Sequence, residues 1–110
     1  MGKRASREIV EDQIEQIARD LAKINPIRAI LYGSYARGDY HEASDFDLLV
    51  IKETDVPFLK RGLEVLEAVE TKVHVEPLVY TPQEIDEMIK LGNPLILDAL
   101  SEGRVIYERK

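Results

Sequence analysis

The chain has 110 residues, of which 45% are apolar and 33% are charged. This length gives room for one domain and one core over residues 1–110, because domains usually have about 100–150 residues. No apolar run approaches the roughly 18 residues of a membrane span, and no apolar stretch follows the first positive charges as in a secretory signal. We therefore expect a soluble, cytoplasmic protein that does not contact a membrane.

The charge balance limits the partners that the chain can bind. Fifteen Lys and Arg residues stand against 21 Asp and Glu residues, for a formal charge of −6. An acidic chain repels a phosphate backbone, so direct binding along a nucleic acid is disfavoured. The absence of cysteine excludes disulfides, thiolate zinc sites, iron–sulfur clusters and cysteine nucleophiles. The two histidines, His41 and His74, are too few for a histidine-rich metal site, and we expect both to be solvated or structural.

The first third of the chain predicts one helix and one strand. Between residues 7 and 24, apolar side chains recur at every third or fourth position, which is typical of an amphipathic helix. Asn25-Pro26 should stop this helix, and its charged residues, Asp20 among them, should form a solvated face. Residues 28–32 then form a short apolar run that predicts a buried strand ending at Gly33.

The middle of the chain predicts a second strand and a second helix. Residues 45–51 form a strand whose later residues are apolar on both faces, as in the interior of a covered sheet. Thr54 and Asp55 can cap a helix that has Pro57 in its first turn. The apolar residues of this helix repeat at helical spacing and should form its buried stripe: Leu59, Leu63, Leu66 and Val69.

The next segment predicts a strand followed by two capped helices. The strand should run from about residue 72 to residue 80. Thr81-Pro82-Gln83-Glu84 combines an N-cap threonine, a proline at the first helical position and a glutamate at the third, which is a capping box for a helix extending to Gly92. Asn93-Pro94 repeats the start signal for a short helix ending near Gly103.

Residues 105–107 can add a final strand. No internal repeat, low-complexity segment or interdomain linker interrupts the pattern. The alternation of apolar strands with capped amphipathic helices predicts an α/β fold, with a mixed, twisted sheet covered by helices mainly on one side.

Two short motifs carry the chemistry. At Gly33-Ser34, a strand runs into a glycine that permits close backbone approach, and Ser34 opens a short helical turn whose free amides suit a phosphate. At Asp45-Phe46-Asp47, two aspartates two positions apart on a strand project from one face and suit Mg²⁺, which leaves other positions to water and substrate phosphates. Either motif alone is commonly only a turn or a strand end, so the argument rests on their combination.

Gly33-Ser34, followed by ten residues and then Asp45-x-Asp47, resembles the signature of the nucleotidyltransferase superfamily related to DNA polymerase beta. Arg37-Gly38 matches the usual continuation of this motif, and the short chain is similar to the minimal nucleotidyltransferase branch. The resemblance implies the polymerase beta-like nucleotidyltransferase fold. It also implies nucleotidyl transfer, in which an acceptor hydroxyl attacks the α-phosphate of a nucleoside triphosphate and pyrophosphate leaves.

The resemblance implies three catalytic carboxylates. Asp45 and Asp47 would hold Mg²⁺ on the triphosphate, and Glu76, on the next strand, would complete a second metal position and activate the acceptor hydroxyl. Aspartate is more common than glutamate at this third place. The extra methylene of Glu76 moves the carboxylate by about one bond length, a distance that matters for catalysis. The alternative is that Glu76 is an exposed strand residue.

The resemblance also implies how the nucleotide is held. Gly33 and Ser34 would fix the phosphates of the triphosphate, for which ATP is the expected source. Arg37 would contact the triphosphate, or it could instead form a surface pair with Asp39.

A chain of this size leaves no room for a separate acceptor-binding domain, so the acceptor should arrive on another macromolecule. Chains resembling this one are typically encoded beside a HEPN-domain toxin, act as its antitoxin and can transfer AMP to one of its tyrosines. The expected partner is therefore a HEPN-domain protein, and assembly of the chain with itself or with that partner is left open. Two alternatives are a non-catalytic module that occludes its partner and a transferase for a small-molecule acceptor.

Overall fold

The computed structural model describes residues 2–41, 43–70 and 73–110, with side chains from residue 7 onward. Its helices are α1 (Gly2–Ala22), α2 (Ser34–Arg37), α3 (Phe58–Ala68), α4 (Pro82–Lys90) and α5 (Pro94–Glu102). Its strands are β1 (Arg28–Tyr32), β2 (Phe46–Ile51), β3 (Val75–Tyr80) and β4 (Arg104–Glu108). In this part of the chain, no helix combines the length and the apolar character that crossing a bilayer requires.

The strands form one four-stranded sheet in the order β3-β2-β1-β4. β1 is antiparallel to β2 and to β4, whereas β2 and β3 are parallel. This mixed sheet flanked by helices confirms the predicted α/β fold class. β3 starts at Val75, later than expected, and residue 72 of the predicted strand lies outside the described residues.

Helices cover both faces of the sheet, so the prediction that they cover mainly one face is wrong. Successive residues of a strand point to opposite faces. Leu48 of β2 packs in one apolar cluster with Ile17 of α1 and Val65 of α3. Leu49 packs in a second cluster with Ile96 of α5. Because β2 is apolar on both sides, each face of the sheet needs a covering layer of helices. We call the two faces of the sheet the α1/α3 face and the α4/α5 face.

The end of α1 agrees with the Asn25-Pro26 stop signal, since Asn25 adopts the left-handed conformation with φ of 52°. Asp20, however, is only 1% exposed and does not belong to a solvated face. Its carboxylate accepts hydrogen bonds from Gln16 Nε2 at 2.9 Å and from the Glu70 amide at 3.0 Å, and it pairs with Lys23 at 3.2 Å. Burial acts to raise the pKa of Asp20, but these partners hold it below its usual value. Asp20 thus joins α1 to the segment that follows α3.

The start of α3 differs from the prediction. The helix begins at Phe58 with Pro57 in the N-cap position, and no side chain caps it. Thr54 instead accepts a hydrogen bond from the Val56 amide at 3.1 Å, within the preceding loop. Thr54 and Asp55 therefore do not cap this helix.

The buried side of α3 is also different from the predicted leucine stripe. Val65 is 0% exposed, whereas the three leucines are 91%, 58% and 49% exposed: Leu59, Leu63 and Leu66. Val69 alone of the predicted stripe packs against the core. The apolar periodicity was real, but it indicated the wrong side of the helix.

Arg61 accounts for this orientation of α3. Its guanidinium is nearly buried and donates to the Val56 carbonyl at 2.7 Å, to the Val79 carbonyl at 3.2 Å and to Glu84 at 2.6 Å. A buried charge is tolerated only with such partners. α3 must therefore turn Arg61 toward the end of β3 and the start of α4, which sends the leucines outward.

The starts of α4 and α5 confirm the predicted caps. Thr81 accepts from the Glu84 amide at 3.2 Å and its own amide donates to Glu84 Oε1 at 2.8 Å, which is the expected capping box. Asn93 Oδ1 accepts from the Ile96 amide at 3.1 Å, and α5 ends directly before Gly103.

The orientation of α3 can be tested with two truncations. Val65→Ala should lower the free energy of unfolding by about 2 kcal/mol, because it removes buried methyl groups. Leu59→Ala, on the exposed side, should change it by less than about 0.5 kcal/mol. Urea unfolding measures both values, and a larger loss at Leu59 than at Val65 would contradict the observed orientation.

Candidate active site

The strand register brings the predicted carboxylates to one end of the sheet. Asp47 of β2 lies opposite Tyr32 of β1 on one side and opposite Glu76 of β3 on the other. Residues opposite each other in neighbouring strands share a face. Asp47 and Glu76 therefore lie together on the α4/α5 face, and Asp45, just before β2, is close enough for its charge to act on Asp47.

Gly33 connects β1 to α2 in close contact with Asp47. Its φ of 76° is in the region that favours glycine, and a Cβ at this position would overlap the Asp47 carboxylate. The Gly33 carbonyl accepts from the Arg37 amide at 3.0 Å, which closes the α2 turn. The earlier amides of this turn, those of Ser34 and Tyr35, are the donors that a helix leaves free at its start.

The electrostatics of the site centre on Asp47. Burial raises the pKa of Asp47, and the neighbouring charges of Asp45 and Glu76 raise it further, while Arg37 partly offsets them. Negative charge is therefore crowded at this end of the sheet. A bound cation would relieve the crowding.

Tyr32 completes the row of polar side chains, and no motif in the sequence indicates this role beyond its place before Gly33. Burial raises the pKa of Tyr32 to about 12, with the charges of Asp47, Tyr80 and Glu76 adding to the effect. The phenol therefore stays protonated at neutral pH. It can donate a hydrogen bond beside Asp47.

Arg37 forms the surface ion pair with Asp39 that was the alternative to a contact with the triphosphate. Its Nε lies 3.2 Å from Asp39 Oδ2, and both side chains are exposed. Exposed pairs of this kind contribute little to stability, so the guanidinium can exchange partners at low cost. Its effect on the pKa of Asp47 shows that it also lies near the carboxylates.

An aromatic stack holds the α2 turn against β2. The Tyr35 ring lies 3.9 Å from the Phe46 ring and 4.6 Å from the Tyr40 ring, nearly parallel to both. Phe46 is buried on the α1/α3 face and lies between Asp45 and Asp47 in the sequence. The stack thus couples the position of the turn to the strand that carries Asp47.

The donor set fits a hard divalent cation without forming a complete cage. Within residues 2–41, 43–70 and 73–110, no three His, Cys, Asp or Glu side chains are grouped closely enough to hold a metal ion by themselves. Mg²⁺ does not require such a group, because it binds through one or two carboxylates and takes water and substrate phosphates for the rest. The crowded carboxylates and the space that Gly33 leaves beside Asp47 are compatible with this mode.

A cavity of about 290 Å³ lies beside the candidate site, but Asp45, Asp47 and Glu76 do not line it. It lies between the end of β1, α2 and α5, and Gly33 forms part of its wall. Gly33 therefore both contacts the Asp47 carboxylate and lines the cavity.

The role of Gly33 can be tested against a second glycine of the same turn. Gly33→Ala should destabilise the fold by about 2 kcal/mol or more and displace the Asp47 side chain, since the new Cβ is both strained and overlapping. Gly38 also has a positive φ, of 89°, but open space around it, so Gly38→Ala should cost only about 1 kcal/mol. Chemical denaturation compares them, and equal losses would show that the contact with Asp47 is unimportant.

The crowding at Asp47 predicts a gain in stability when its charge is removed. Because the pKa of Asp47 is raised in the folded protein, its ionised form opposes folding above that pKa and ceases to do so as the pH falls. Asp47→Asn should therefore raise the Tm at pH 7, without added metal, by about 1–3 °C. The gain should shrink as the pH is lowered toward 4, and thermal melts that show a constant or growing gain would contradict the argument.

Comparisons with known proteins agree with this geometry. Residues 11–107 match the family described as "Nucleotidyltransferase domain". A solved structure described as "a putative nucleotidyltransferase from Sulfolobus solfataricus" superposes with a TM-score of 0.65 at 21% identity, over 99% of this chain and 91% of that one, which shows a shared fold.

Three proteins of Methanocaldococcus jannaschii, each named "Putative protein adenylyltransferase", are similar in sequence. MJ1305 is 37% identical over 92 residues, which cover 76% of this chain but only 59% of that protein. MJ0141 and MJ0604 are each 33% identical, over 66% and 73% of this chain and 80% and 77% of their own lengths. With a family match over most of its length, the chain belongs to the nucleotidyltransferase domain family.

Proposed function

We propose that this chain is a Mg²⁺-dependent enzyme that transfers AMP from ATP to a hydroxyl group of another protein. The observation that carries the proposal is the register of β2, which sets Asp47 beside Glu76 while Gly33 contacts Asp47 from the end of β1. Carboxylates and a phosphate-binding turn are the two parts that nucleotidyl transfer needs within reach of each other.

Asp45 and Asp47 are the residues that would hold Mg²⁺ on the triphosphate. Bound there, the ion would neutralise phosphate charge and favour both attack and departure of oxygen at phosphorus. Asp45 stands just before β2 and its charge acts on Asp47 within the strand, so the two aspartates can act on one group. Burial raises the pKa of Asp47, the charges of Asp45 and Glu76 add to this effect, and a bound cation would offset the repulsion among the three carboxylates.

Gly33, Ser34 and Arg37 are the residues that would hold the phosphates. Gly33 permits close approach of the backbone, and Ser34 offers its amide and hydroxyl at the start of the α2 turn. Arg37 would leave its weak pair with Asp39 for the stronger, charge-assisted contact with a phosphate.

Glu76 would activate the acceptor hydroxyl. It is exposed on β3, on the open side of Asp47, where an incoming hydroxyl can reach it. The hydroxyl oxygen forms a bond to the α-phosphorus, the bond from that phosphorus to the bridging oxygen breaks, and pyrophosphate leaves. The Glu76 carboxylate would accept the hydroxyl proton, or would hold a cation that lowers the pKa of the hydroxyl.

A protein acceptor is favoured over a small molecule by the names of the three relatives from Methanocaldococcus jannaschii. The family resemblance refines this acceptor to a tyrosine of a HEPN-domain toxin that the chain would silence as an antitoxin. An added nucleotide brings negative charge and bulk to a site that must receive RNA phosphates, so RNA binding there should fall.

The catalytic assignment can be tested with three substitutions. Asp47→Asn should lower transfer at least about a hundredfold, because a ligand charge is lost while the side-chain shape is kept. Glu76→Gln should suppress transfer by removing charge, whereas Glu76→Asp should retain measurable activity. The readout is mass spectrometry of a HEPN-domain partner encoded beside the chain, which should gain about 329 Da per AMP.

Glu87→Gln, on the exposed side of α4, is the matched control and should leave transfer unchanged. Full transfer by the Asp47→Asn protein would exclude the proposed site. If the partner is silenced without a mass increase, and equally by the Asp47→Asn protein, the chain acts by occlusion and not as an enzyme.

A further inference from the structure

The cavity between α2 and α5 has a mixed lining. Arg37 lines it from the α2 side. On the α5 side, Leu95 and Ala99 supply apolar surface, and Asp98 and Glu102 supply two carboxylates. Its volume of about 290 Å³ is close to the lower end of the roughly 300–1,000 Å³ of small-molecule sites. The cavity can therefore take one compact group that is partly apolar and partly polar.

The positions of Asp98 and Glu102 are unfavourable for the stability of α5. Asp98 and Glu102 are four positions apart, so their like charges repel along the helix. Glu102 is also the last residue of α5, where the helix dipole disfavours a negative charge, and no basic residue occupies the last turn. Among the described residues, neither carboxylate has a recorded ion-pair or hydrogen-bond partner. Both side chains are exposed to solvent, and they line the cavity together with Leu95 and Ala99.

The chemistry of the lining selects the ligand group. Asp98 and Glu102 make the α5 side of the cavity acidic, which disfavours phosphate there and attracts hydrogen-bond donors, whereas Gly33 and Arg37 line the α2 side. Two adjacent hydroxyls of a ribose match two acceptors one helical turn apart, which have Cβ atoms about 5–6 Å from each other. The apolar surface of Leu95 and Ala99 suits the face of a base.

We propose that this cavity holds the nucleoside of the triphosphate substrate, with Asp98 and Glu102 accepting hydrogen bonds from the ribose hydroxyls. The assignment rests on the proposed function, because it uses the phosphate site at Gly33 as its starting point. Gly33 contacts the Asp47 carboxylate and also lines the cavity. A nucleotide whose phosphates lie at the α2 turn can therefore extend its sugar and base into the cavity.

The test compares the wild-type protein with the double variant Asp98→Asn/Glu102→Gln by calorimetric titration in the presence of Mg²⁺. The three ligands are ATP, 2′-deoxy-ATP and inorganic tripolyphosphate, which lacks a nucleoside. The double variant should bind ATP about tenfold more weakly, because it loses charge-assisted hydrogen bonds. It should bind tripolyphosphate at least as tightly as the wild type, since two negative charges are gone. The wild-type preference for ATP over 2′-deoxy-ATP should disappear.

A structural readout separates this role from a general loss of fold. Removing the like charges from α5 should raise the Tm of the unliganded double variant by about 1–3 °C while ATP binding falls. Asp86→Asn, an exposed carboxylate of α4, is the control and should change neither value. A loss of ATP affinity together with a lowered Tm would indicate damage to α5 and overturn the assignment.

The two proposals fail in different ways. Unchanged or tighter ATP binding by the double variant, with transfer still dependent on Asp47, overturns the nucleoside pocket and leaves the proposed function standing. Transfer that survives Asp47→Asn, or absence of ATP binding by the wild type, overturns the proposed function itself and the pocket with it.

Discussion

The pairing of β2 on both of its edges is the constraint on which the rest of the structure depends. Its residues from Leu48 to Ile51 are buried, alternately against the α1/α3 face and the α4/α5 face. A shift of the strand by one residue would move each buried side chain to the opposite face of the sheet, and Asp47 would then point to the α1/α3 face. The apolar half of β2 therefore holds its acidic end in one place relative to β1 and β3.

Charged residues of this fold have two different arrangements, opposite charges in pairs and like charges close together. Elsewhere charged groups of opposite sign pair between elements, as in the bidentate contact of Arg104 with Glu11 at 2.8 and 2.9 Å, which joins β4 to α1. At Asp47 and along the last turn of α5, like charges face each other instead. Natural proteins accept such local costs where a ligand must be bound, and here Gly33 contacts Asp47 and lines the same cavity as Asp98 and Glu102.

The sequence predicted the features that depend on neighbouring residues. The Thr81 and Asn93 caps, the Asn25 stop and the Gly33 turn are all local devices, and all are present in the structure. The family resemblance placed Glu76 on the next strand beside the aspartates, and the register sets it opposite Asp47.

The features that the sequence did not predict depend on contacts between distant residues. Arg61 and Glu84 are 23 positions apart, and Asp20 reaches the Glu70 amide 50 positions away. An arginine inside a leucine-rich helix gives no local sign that it will be buried, and an aspartate on a charged helix side gives none either. These two contacts form only when the sheet has brought α1, α3 and α4 into place.

The aromatic stack beneath the α2 turn gives the chain a built-in optical probe. There is no tryptophan, and three of the five tyrosines, Tyr32, Tyr35 and Tyr40, lie around the Gly33 turn. Near-ultraviolet circular dichroism and tyrosine emission of this protein therefore arise in large part from the candidate site rather than from the core. Movement of the turn on binding a nucleotide becomes a spectroscopic signal of the unlabelled protein.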